Sequence, residues 1–314
     1  MAADDRLAIP VICGPTGAGK SAVGLWLAAR FPGTSVVADS RQIYRAFDIG
    51  TAKPTTAERA LTPHRGVDVV DPAERYSAAR WAGDAERWIG EAQAAGRTPV
   101  VVGGTGFYIR ALFEPLFDEP SLDGGRRDAL QRFLASLSLS ELARWTRMLD
   151  PERAHLGRAQ LLRAIEVALL AGERVSTLHR LRARPRGQRA RYLVVDPGAG
   201  LAARIAERLD TMIAGGWVDE VRLLNDAIPA EAPAWKATGY RVMRDYVTGA
   251  IDRESARNAI LIETRQYAKR QRTWFRHQLD HRVVTQVDPT DAHWQTTVER
   301  WWRGTTPELE ARNV

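Results

Sequence analysis

The sequence reads Ala-Ile-Pro-Val-Ile-Cys at residues 8–13 and continues as Gly-Pro-Thr-Gly-Ala-Gly-Lys-Ser at residues 14–21. The first run is apolar and ends at a glycine, which predicts a buried strand. The second run satisfies the P-loop pattern G-x-x-x-x-G-K-[ST]. A helix is expected over Ser21–Arg30, because Pro32-Gly33 stops its continuation. A strand, a glycine-rich loop and a helix in this order predict a site for a polyphosphate or pyrophosphate ligand.

The P-loop supplies several kinds of phosphate contact. Its glycines let backbone N–H groups wrap the phosphates, and the helix N-terminus adds a favourable dipole. Lys20 contributes a point charge, and the Ser21 hydroxyl is a candidate ligand for Mg²⁺. Taken alone, the motif is typical of proteins that bind ATP or GTP. The residues predicted to bind a diphosphate are Gly14, Thr16, Gly17, Ala18, Gly19, Lys20 and Ser21.

Strands and helices alternate beyond the P-loop. Short apolar runs predict strands at Ser35–Ala38 and Thr98–Val102, and helical spacing covers Arg75–Ala95. This alternation predicts an α/β fold, a P-loop doubly wound parallel sheet. Ligands of such sheets bind at the carboxyl ends of the strands. One crevice is therefore expected to receive the residues that follow the predicted strands: Gly14, Asp39 and Gly103.

The pattern changes after Leu116, where a stretch rich in Pro, Asp and Gly begins. Helical spacing then covers residues 126–172, with a break at Asp150-Pro151 and an end at Gly172. A strand at Arg191–Val195 indicates that the sheet resumes. Two parts are therefore predicted: a P-loop α/β catalytic core of residues 1–116 and 191–314 with C-terminal helices, and a helical insertion of residues 117–190.

The composition is that of a soluble globular protein, with 45% hydrophobic and 26% charged residues. No apolar run approaches the length of a membrane span, and the first residues lack the apolar region of a secretory signal. The single cysteine, Cys13, lies in the apolar run before the P-loop and is expected to be buried. A cytosolic protein fits these features.

The net charge of +7 is concentrated in two segments. Arg174–Arg191 holds seven arginines and Arg265–Arg276 holds five basic residues, and neither contains an acid. The remaining 33 of the 45 basic residues face 38 acids, which leaves a net charge of −5. This distribution indicates either a polyanionic partner such as nucleic acid or a solvated basic surface.

Residues 200–279 are expected to be helical again, and one helix carries a basic stripe. Its members are spaced i, i+4, i+7 and i+11: Arg265, Lys269, Arg272 and Arg276. No acid interrupts the stripe, which favours phosphate contacts over solvation alone. Tyr267 and Trp274 share another face and are expected to pack in the core rather than to stack on bases.

A nucleotide hydrolase usually shows an apolar strand that ends in a Walker B aspartate, whereas the strand at 98–102 runs into Gly-Gly-Thr-Gly. Asp39 follows the second strand and is a candidate general base or Mg²⁺ ligand, with a structural acid or helix cap as the alternative. The Thr105 hydroxyl is a candidate donor to a phosphate oxygen, with an ordinary tight turn as the alternative.

Several strings, in this order, resemble the tRNA dimethylallyltransferase family, also called tRNA isopentenyltransferases. Besides the P-loop, shorter elements match at His64, Asp68, Tyr76-Ser77 and Gly239-Tyr240. The longer matches are A-D-S-R-Q-I-Y-R at 38–45, D-I-G-T-A-K-P at 48–54, G-G-T-G-F-Y-I at 103–109 and T-R-Q-Y-A-K-R-Q-R-T-W-F-R at 264–276.

The resemblance implies an activity that explains the missing Walker B aspartate. In this family the P-loop holds the pyrophosphate of dimethylallyl diphosphate. The dimethylallyl group passes to the exocyclic amine of the adenosine 3′ of the anticodon in tRNA, and diphosphate is released. The base is flipped into a channel through the core, and the insertion grips the anticodon loop. The resemblance thus implies Mg²⁺ as cofactor and the tRNA anticodon stem-loop and dimethylallyl diphosphate as partners. With the composition, it leads us to expect a cytoplasmic monomer with no membrane partner.

The resemblance also implies roles for particular residues. Asp39 is the general base, while Lys20 and Thr105 stabilise the leaving group. Arg208 is a weaker candidate for a pyrophosphate contact. The residues expected to contact tRNA are Asp39, Ser40, Arg41, Gln42, Thr105, Arg127, Gln160, Arg163, Arg265, Lys269, Arg272 and Arg276.

One stretch departs from the family pattern. Ala159 and Gln160 stand where a glutamine and an arginine are usual, so we expect tRNA affinity or tRNA choice to differ from other members. Three alternatives remain open: an isopentenyltransferase that acts on free adenine nucleotides, a P-loop small-molecule kinase, and a P-loop protein that binds RNA without chemistry. The insertion and the basic helix argue against the first, since a small acceptor needs neither.

Overall fold

The fold is known from a computed structural model, which describes residues 8–114, 120, 122–181 and 188–304. The predicted Pro-, Asp- and Gly-rich stretch and the predicted basic loop lie partly outside these residues. The chain divides into two compact units. Unit 1 comprises Met1–Phe113 and Gly187–Val314, and unit 2 comprises Glu114–Arg186.

Within the described residues, unit 1 contains one sheet of six strands, all parallel, in the order β3-β2-β4-β1-β5-β6. The strands are β1 (Ile9–Cys13), β2 (Gly33–Val37), β3 (His64–Arg65), β4 (Thr98–Gly103), β5 (Ala190–Val195) and β6 (Val284–Val287). The predicted doubly wound parallel sheet is confirmed. Cys13 lies opposite Gly103 on one side and Val194 on the other, so the loops after β1 and β4 leave the sheet together.

The helices of unit 1 lie before and after the insertion. The first group is α1 (Lys20–Ala28), α2 (Thr56–Leu61), α3 (Ala78–Ala94) and α4 (Gly106–Phe113). Unit 2 contains α5 (Gly124–Ala135), α6 (Leu139–Leu149), α7 (Arg158–Ala171) and α8 (Val175–Leu181). Unit 1 then continues with α9 (Leu201–Ala214), α10 (Trp217–Ala227), α11 (Tyr240–Val247), α12 (Arg253–Gln278) and α13 (Trp294–Arg303). Among these helices, none combines the length and apolarity that a membrane crossing requires.

Burial explains why the front half of the chain forms these elements. All five residues of β1 are buried, as a strand with neighbours on both sides requires. Cys13 is fully buried, which confirms its prediction, and burial raises the pKa of its thiol. In α3, Trp81 and Ile89 lie fully buried on one face, and the Trp81 indole N–H donates to the Val37 carbonyl 3.0 Å away. The core therefore fixes the strand ends from which the loops described below emerge.

Candidate active site

Loops from the carboxyl ends of β1, β2 and β4 meet at one cavity of about 890 Å³, lined entirely by unit 1. The P-loop contributes Thr16, Gly17, Lys20 and Ser21 to its lining, and Gly14, Ala18 and Gly19 lie outside the lining. Asp39 and Gly103 reach the same cavity from the other two strands. The crevice expected from the strand ends is therefore present, although Gly14 does not line it.

The glycines of the P-loop have backbone conformations that other residues adopt with strain. Gly17 and Gly19 have φ angles of 77° and 100°, in the left-handed region that favours glycine. At Gly14, with φ 141°, a Cβ would lie 2.2 Å from the Val195 carbonyl oxygen of the neighbouring strand. Gly19 leads directly into α1, which begins at Lys20. The loop thus presents a helix N-terminus beside the cavity, a position that favours anions.

Two cations and one carboxylate are close together at the cavity. Burial is the main cause that lowers the pKa of Lys20, to about 8, with the nearby Arg208 lowering it further and Asp39 opposing the shift. Burial likewise lowers the pKa of Arg208, and Asp39 again opposes the shift. The Lys20 Nζ donates to the Pro15 carbonyl 2.8 Å away. The excess of positive charge suits an anion such as diphosphate.

The backbone N–H of Thr16 is not available to a phosphate, contrary to the prediction. Its backbone N–H donates to the Gln271 Oε1 at 2.8 Å, so this N–H is used inside the protein and does not belong to the predicted phosphate cradle. Only the rest of the residue, which lines the cavity, remains a candidate contact. The local pattern G-x-x-x-x-G-K-[ST] gave no sign of this bond, because the partner lies 255 residues away.

Asp39 caps a turn and also faces the cavity. Its Oδ1 accepts the backbone N–H groups of Arg41 at 2.8 Å and Gln42 at 3.4 Å, which is the structural role considered from sequence. The carboxylate nevertheless lines the cavity. The two bonds fix its orientation, so the structural role and a role as base are compatible.

Thr105 ties the turn after β4 to the segment after β2. Its N–H donates to the Ala38 carbonyl, and its hydroxyl oxygen accepts the Ser40 N–H, both at 3.1 Å. Tyr267 lies close to the Thr105 side chain, and burial is the main cause that raises its pKa to about 12. Thr105 itself is not among the cavity-lining residues, whereas Tyr267 is. Tyr267 is therefore part of the cavity wall, which corrects its assignment to the core.

The loop of residues 48–53 forms another wall of the cavity and is held by an acid that the sequence analysis did not identify. The Glu220 Oε2 accepts the N–H groups of Asp48 at 3.1 Å and Ile49 at 2.7 Å. The Tyr240 hydroxyl donates to the Glu220 Oε1 at 2.6 Å and accepts the Gly50 N–H at 3.1 Å. Three consecutive backbone N–H groups are thus satisfied by one Glu–Tyr pair.

A buried lysine and a glutamine secure the same loop from its other end. Lys53, whose side chain is 3% exposed, pairs with Asp48 and Asp68, each at 2.6 Å. The Gln42 Nε2 donates to the carbonyls of Thr51 at 3.0 Å and Ala52 at 3.1 Å. The Gln42 amide was expected to contact tRNA, but its donor group is used to hold this loop.

The predicted basic stripe of α12 separates into exposed and paired members. Arg265, Lys269 and Arg276 are exposed. Arg272 instead donates to the Asp196 carboxylate, with Nε 2.8 Å from Oδ2, and to the Gly198 carbonyl. Arg272 is therefore a half-buried ion-pair partner, a role that helical spacing does not show, and its contact with RNA stays a prediction. Ser40 and Arg41 are half-buried, and Arg41 lines the cavity.

The predicted tRNA-binding residues of unit 2 also differ in their surroundings. Gln160 is exposed near the start of α7. Arg127 and Arg163 pair with Glu166 at 3.0 and 3.2 Å, and the Glu166 side chain is 4% exposed. A carboxylate buried to this extent needs its paired cations. Both arginines therefore have a structural role in unit 2 that was not expected from the sequence.

The family model and the related sequences that match this chain all have names of prenyl transferases. The family model described as IPP transferase matches residues 42–278. The tRNA dimethylallyltransferase of Bordetella petrii is 43% identical, covering 88% of this chain and 92% of that protein. The tRNA dimethylallyltransferase of Halorhodospira halophila is 42% identical, covering 90% of this chain and 95% of that protein.

Solved structures are similar over nearly the whole chain. The full-length tRNA isopentenylpyrophosphate transferase of Bacillus halodurans is 30% identical and covers 98% of both chains with a TM-score of 0.68. A eukaryotic dimethylallyltransferase acting on tRNA has a TM-score of 0.77 at 24% identity, covering 97% of this chain and 79% of that one. The second similarity is evidence for the fold alone.

Proposed function

The chain belongs to the IPP transferase family, and we propose that it transfers a dimethylallyl group from dimethylallyl diphosphate to tRNA. The acceptor is the exocyclic amine of the adenosine 3′ of the anticodon, and diphosphate is released. The observation that carries this proposal is the cavity at which a P-loop lysine, Arg208 and Asp39 come together. It offers an anion site and a carboxylate in one place, as transfer from a diphosphate to an amine requires.

The proposed reaction breaks one C–O bond and forms one C–N bond. The electron pair of the C–O bond goes to the bridging oxygen of the diphosphate, where negative charge develops. Lys20, Arg208 and the P-loop N–H groups beyond Thr16 stabilise that charge. The amine nitrogen bonds to the first carbon of the prenyl group and loses a proton to the Asp39 carboxylate. Thr105 acts indirectly, because its hydroxyl positions Ser40 beside Asp39.

The donor set fits a Mg²⁺ ion that is held mainly by the substrate. Among the described residues, no cluster of three or more His, Cys, Asp or Glu side chains is suited to a metal. The exposed Ser21 hydroxyl at the start of α1 is the candidate protein ligand. Mg²⁺ commonly takes one or two protein ligands and completes its shell with phosphate oxygens and water. When bound, the ion would neutralise charge on the diphosphate.

The RNA is proposed to bind through exposed cations. Arg265, Lys269 and Arg276 on α12 are available for phosphate contacts, and unit 2 contacts the anticodon stem-loop, with Gln160 as an exposed candidate. Arg272, Arg127 and Arg163 have ion pairs within the protein, and their contact with RNA stays a prediction. We place the enzyme in the cytoplasm as a monomer.

The test is a modification assay on an unmodified tRNA, with donor and Mg²⁺ varied and the product read by mass spectrometry of the anticodon loop. A gain of one dimethylallyl group on the adenosine 3′ of the anticodon supports the proposal. AMP as the acceptor and ATP turnover are measured in parallel. Retention of tRNA without product would indicate a binding protein, and product on AMP alone would indicate a nucleotide-modifying enzyme. Either result refutes the proposal.

A further inference from the structure

One glutamine on α12 joins the two loops that border the phosphate site. Gln271 is buried, with 6% of its surface exposed. Its Nε2 donates to the Gly104 carbonyl at 2.7 Å, in the turn after β4. Its Oε1 accepts the Thr16 N–H at 2.8 Å, in the P-loop after β1. Both ends of the amide are therefore used, and each end binds a different loop.

The Gly104 turn packs tightly against the Gln271 amide. A Cβ on Gly104 would lie 2.4 Å from the Gln271 Nε2 and 3.4 Å from the Lys20 Nζ, so the turn approaches the glutamine as closely as a glycine allows. Side chains one turn away on the same helix support the same turn. Tyr267 lies close to the Thr105 side chain, and a Cβ on Gly106 would lie 2.3 Å from the Trp274 ring.

We propose that Gln271 is a positioning residue for the diphosphate site, and this inference rests on the proposed function for the identity of the donor. The glutamine turns the Thr16 N–H away from the cavity and fixes the P-loop against the Gly104 turn. The following N–H groups and the Lys20 amine are thereby held where a diphosphate meets them. Gln271 itself lines the cavity wall without contributing charge.

The physical reason is the cost of unpaired backbone groups. Loss of the amide leaves the Thr16 N–H without its buried acceptor, whereas the Gly104 carbonyl still accepts the Gly106 N–H at 3.1 Å. The Thr16 N–H regains a hydrogen bond only if the P-loop moves. Movement of the P-loop changes the cradle on which diphosphate affinity depends. The effect should therefore appear as weaker anion binding by a protein that is still folded.

The experiment titrates the full-length protein with inorganic pyrophosphate by calorimetry, with and without Mg²⁺. Gln271→Met keeps the volume and removes both hydrogen bonds, and we expect affinity to fall at least about tenfold. Gln93→Met makes the same change at an exposed position of α3 and should leave affinity unchanged. In steady-state assays, Gln271→Met should raise KM for dimethylallyl diphosphate, while tRNA retention on filters stays unchanged.

A second variant tests the contact between Gln271 and the Gly104 turn without replacing the glutamine. In Gly104→Ala the new methyl would lie 2.4 Å from the Gln271 Nε2 and displaces that amide, while its next contact, the Gly14 carbonyl oxygen, is 3.3 Å away. Gly104 does not have a positive φ that would strain the backbone. This variant should also weaken pyrophosphate binding. In a Gln271→Ala background the 2.4 Å clash is relieved and only the 3.3 Å contact with the Gly14 carbonyl oxygen remains. The glycine change should therefore add less than it does in the wild type, and a double-mutant cycle measures the coupling.

The outcomes separate this inference from the proposed function. Wild-type protein that does not bind pyrophosphate overturns both. Wild-type binding with unchanged affinity in Gln271→Met, or additive effects in the cycle, overturns the positioning role alone. If Gln271→Met does not fold, as judged by circular dichroism, the pyrophosphate affinity of Gly104→Ala decides. A loss of affinity supports the positioning role of Gln271, and an unchanged affinity refutes it.

Discussion

Tyr240→Phe should release the loop of residues 48–53 from its anchor. The lost hydroxyl accepts the Gly50 N–H at 3.1 Å and donates to Glu220 at 2.6 Å. Tyr240 is fully buried, so the phenyl ring retains the packing and only the polar contacts change. The Gly50 N–H is left without its acceptor, at a cost of about 1–3 kcal/mol. This corresponds to roughly 5- to 150-fold faster opening of that amide.

Amide hydrogen exchange measures this opening directly, because local unfolding controls the exchange of protected N–H groups. The peptide containing Asp48, Ile49 and Gly50 should exchange faster in Tyr240→Phe, with Gly50 affected most since Glu220 still accepts the other two N–H groups. Tyr246→Phe, the same change at a half-buried position of α11, is the matched control. Exchange at Gly50 that equals the wild-type rate would refute the assignment of this anchor.

Three further predictions concern the reaction and its substrates. Asp39→Asn should reduce the single-turnover rate by roughly 10²–10⁴ while tRNA is retained, and an unchanged rate would remove the general base from Asp39. Acylation of Lys20 should reach half its maximum near pH 8, since its pKa is lowered to about 8, and pyrophosphate should raise that midpoint because an anion favours the charged amine. A midpoint that pyrophosphate does not move would exclude contact with Lys20. Neutralising Arg265 and Lys269 together should weaken tRNA binding and reduce its salt dependence while pyrophosphate affinity is retained. An unchanged salt slope would contradict phosphate contacts by these residues.

The parts of the fold that could be predicted are those whose sequence pattern is contained in a few consecutive residues. The buried strand at residues 9–13 and the P-loop after it are continuous in sequence, and the strand pattern at 98–103 is equally local. The structure adds two edge strands, His64–Arg65 and Val284–Val287, which are too short to show a periodicity. The helix Trp294–Arg303 was also missed, because its charged residues and tryptophans gave no clear assignment at the level of composition.

The site was predictable only where one residue acts through its own chemistry. Lys20 and Asp39 could be proposed because an amine in a P-loop and an acid at a strand end have few ordinary roles. Glu220 and Gln271 act through partners 171 and 255 residues away, and no local pattern records such contacts. The ion pair of Arg272 was missed for the same reason, since its carboxylate partner lies 76 residues away.

The faces of α12 connect these observations. Over 26 residues, about 39 Å of helix, exposed cations such as Lys269 lie on one side while Gln271 holds the phosphate loops on another. Under the proposed function, the RNA and the donor diphosphate are therefore positioned by one rigid element. A substitution that shifts the helix should affect both substrates, whereas the exposed cations should affect RNA alone and Gln271 should affect the donor alone. A substitution that shifts the helix but weakens the binding of only one substrate would therefore indicate two independent sites and refute the shared scaffold.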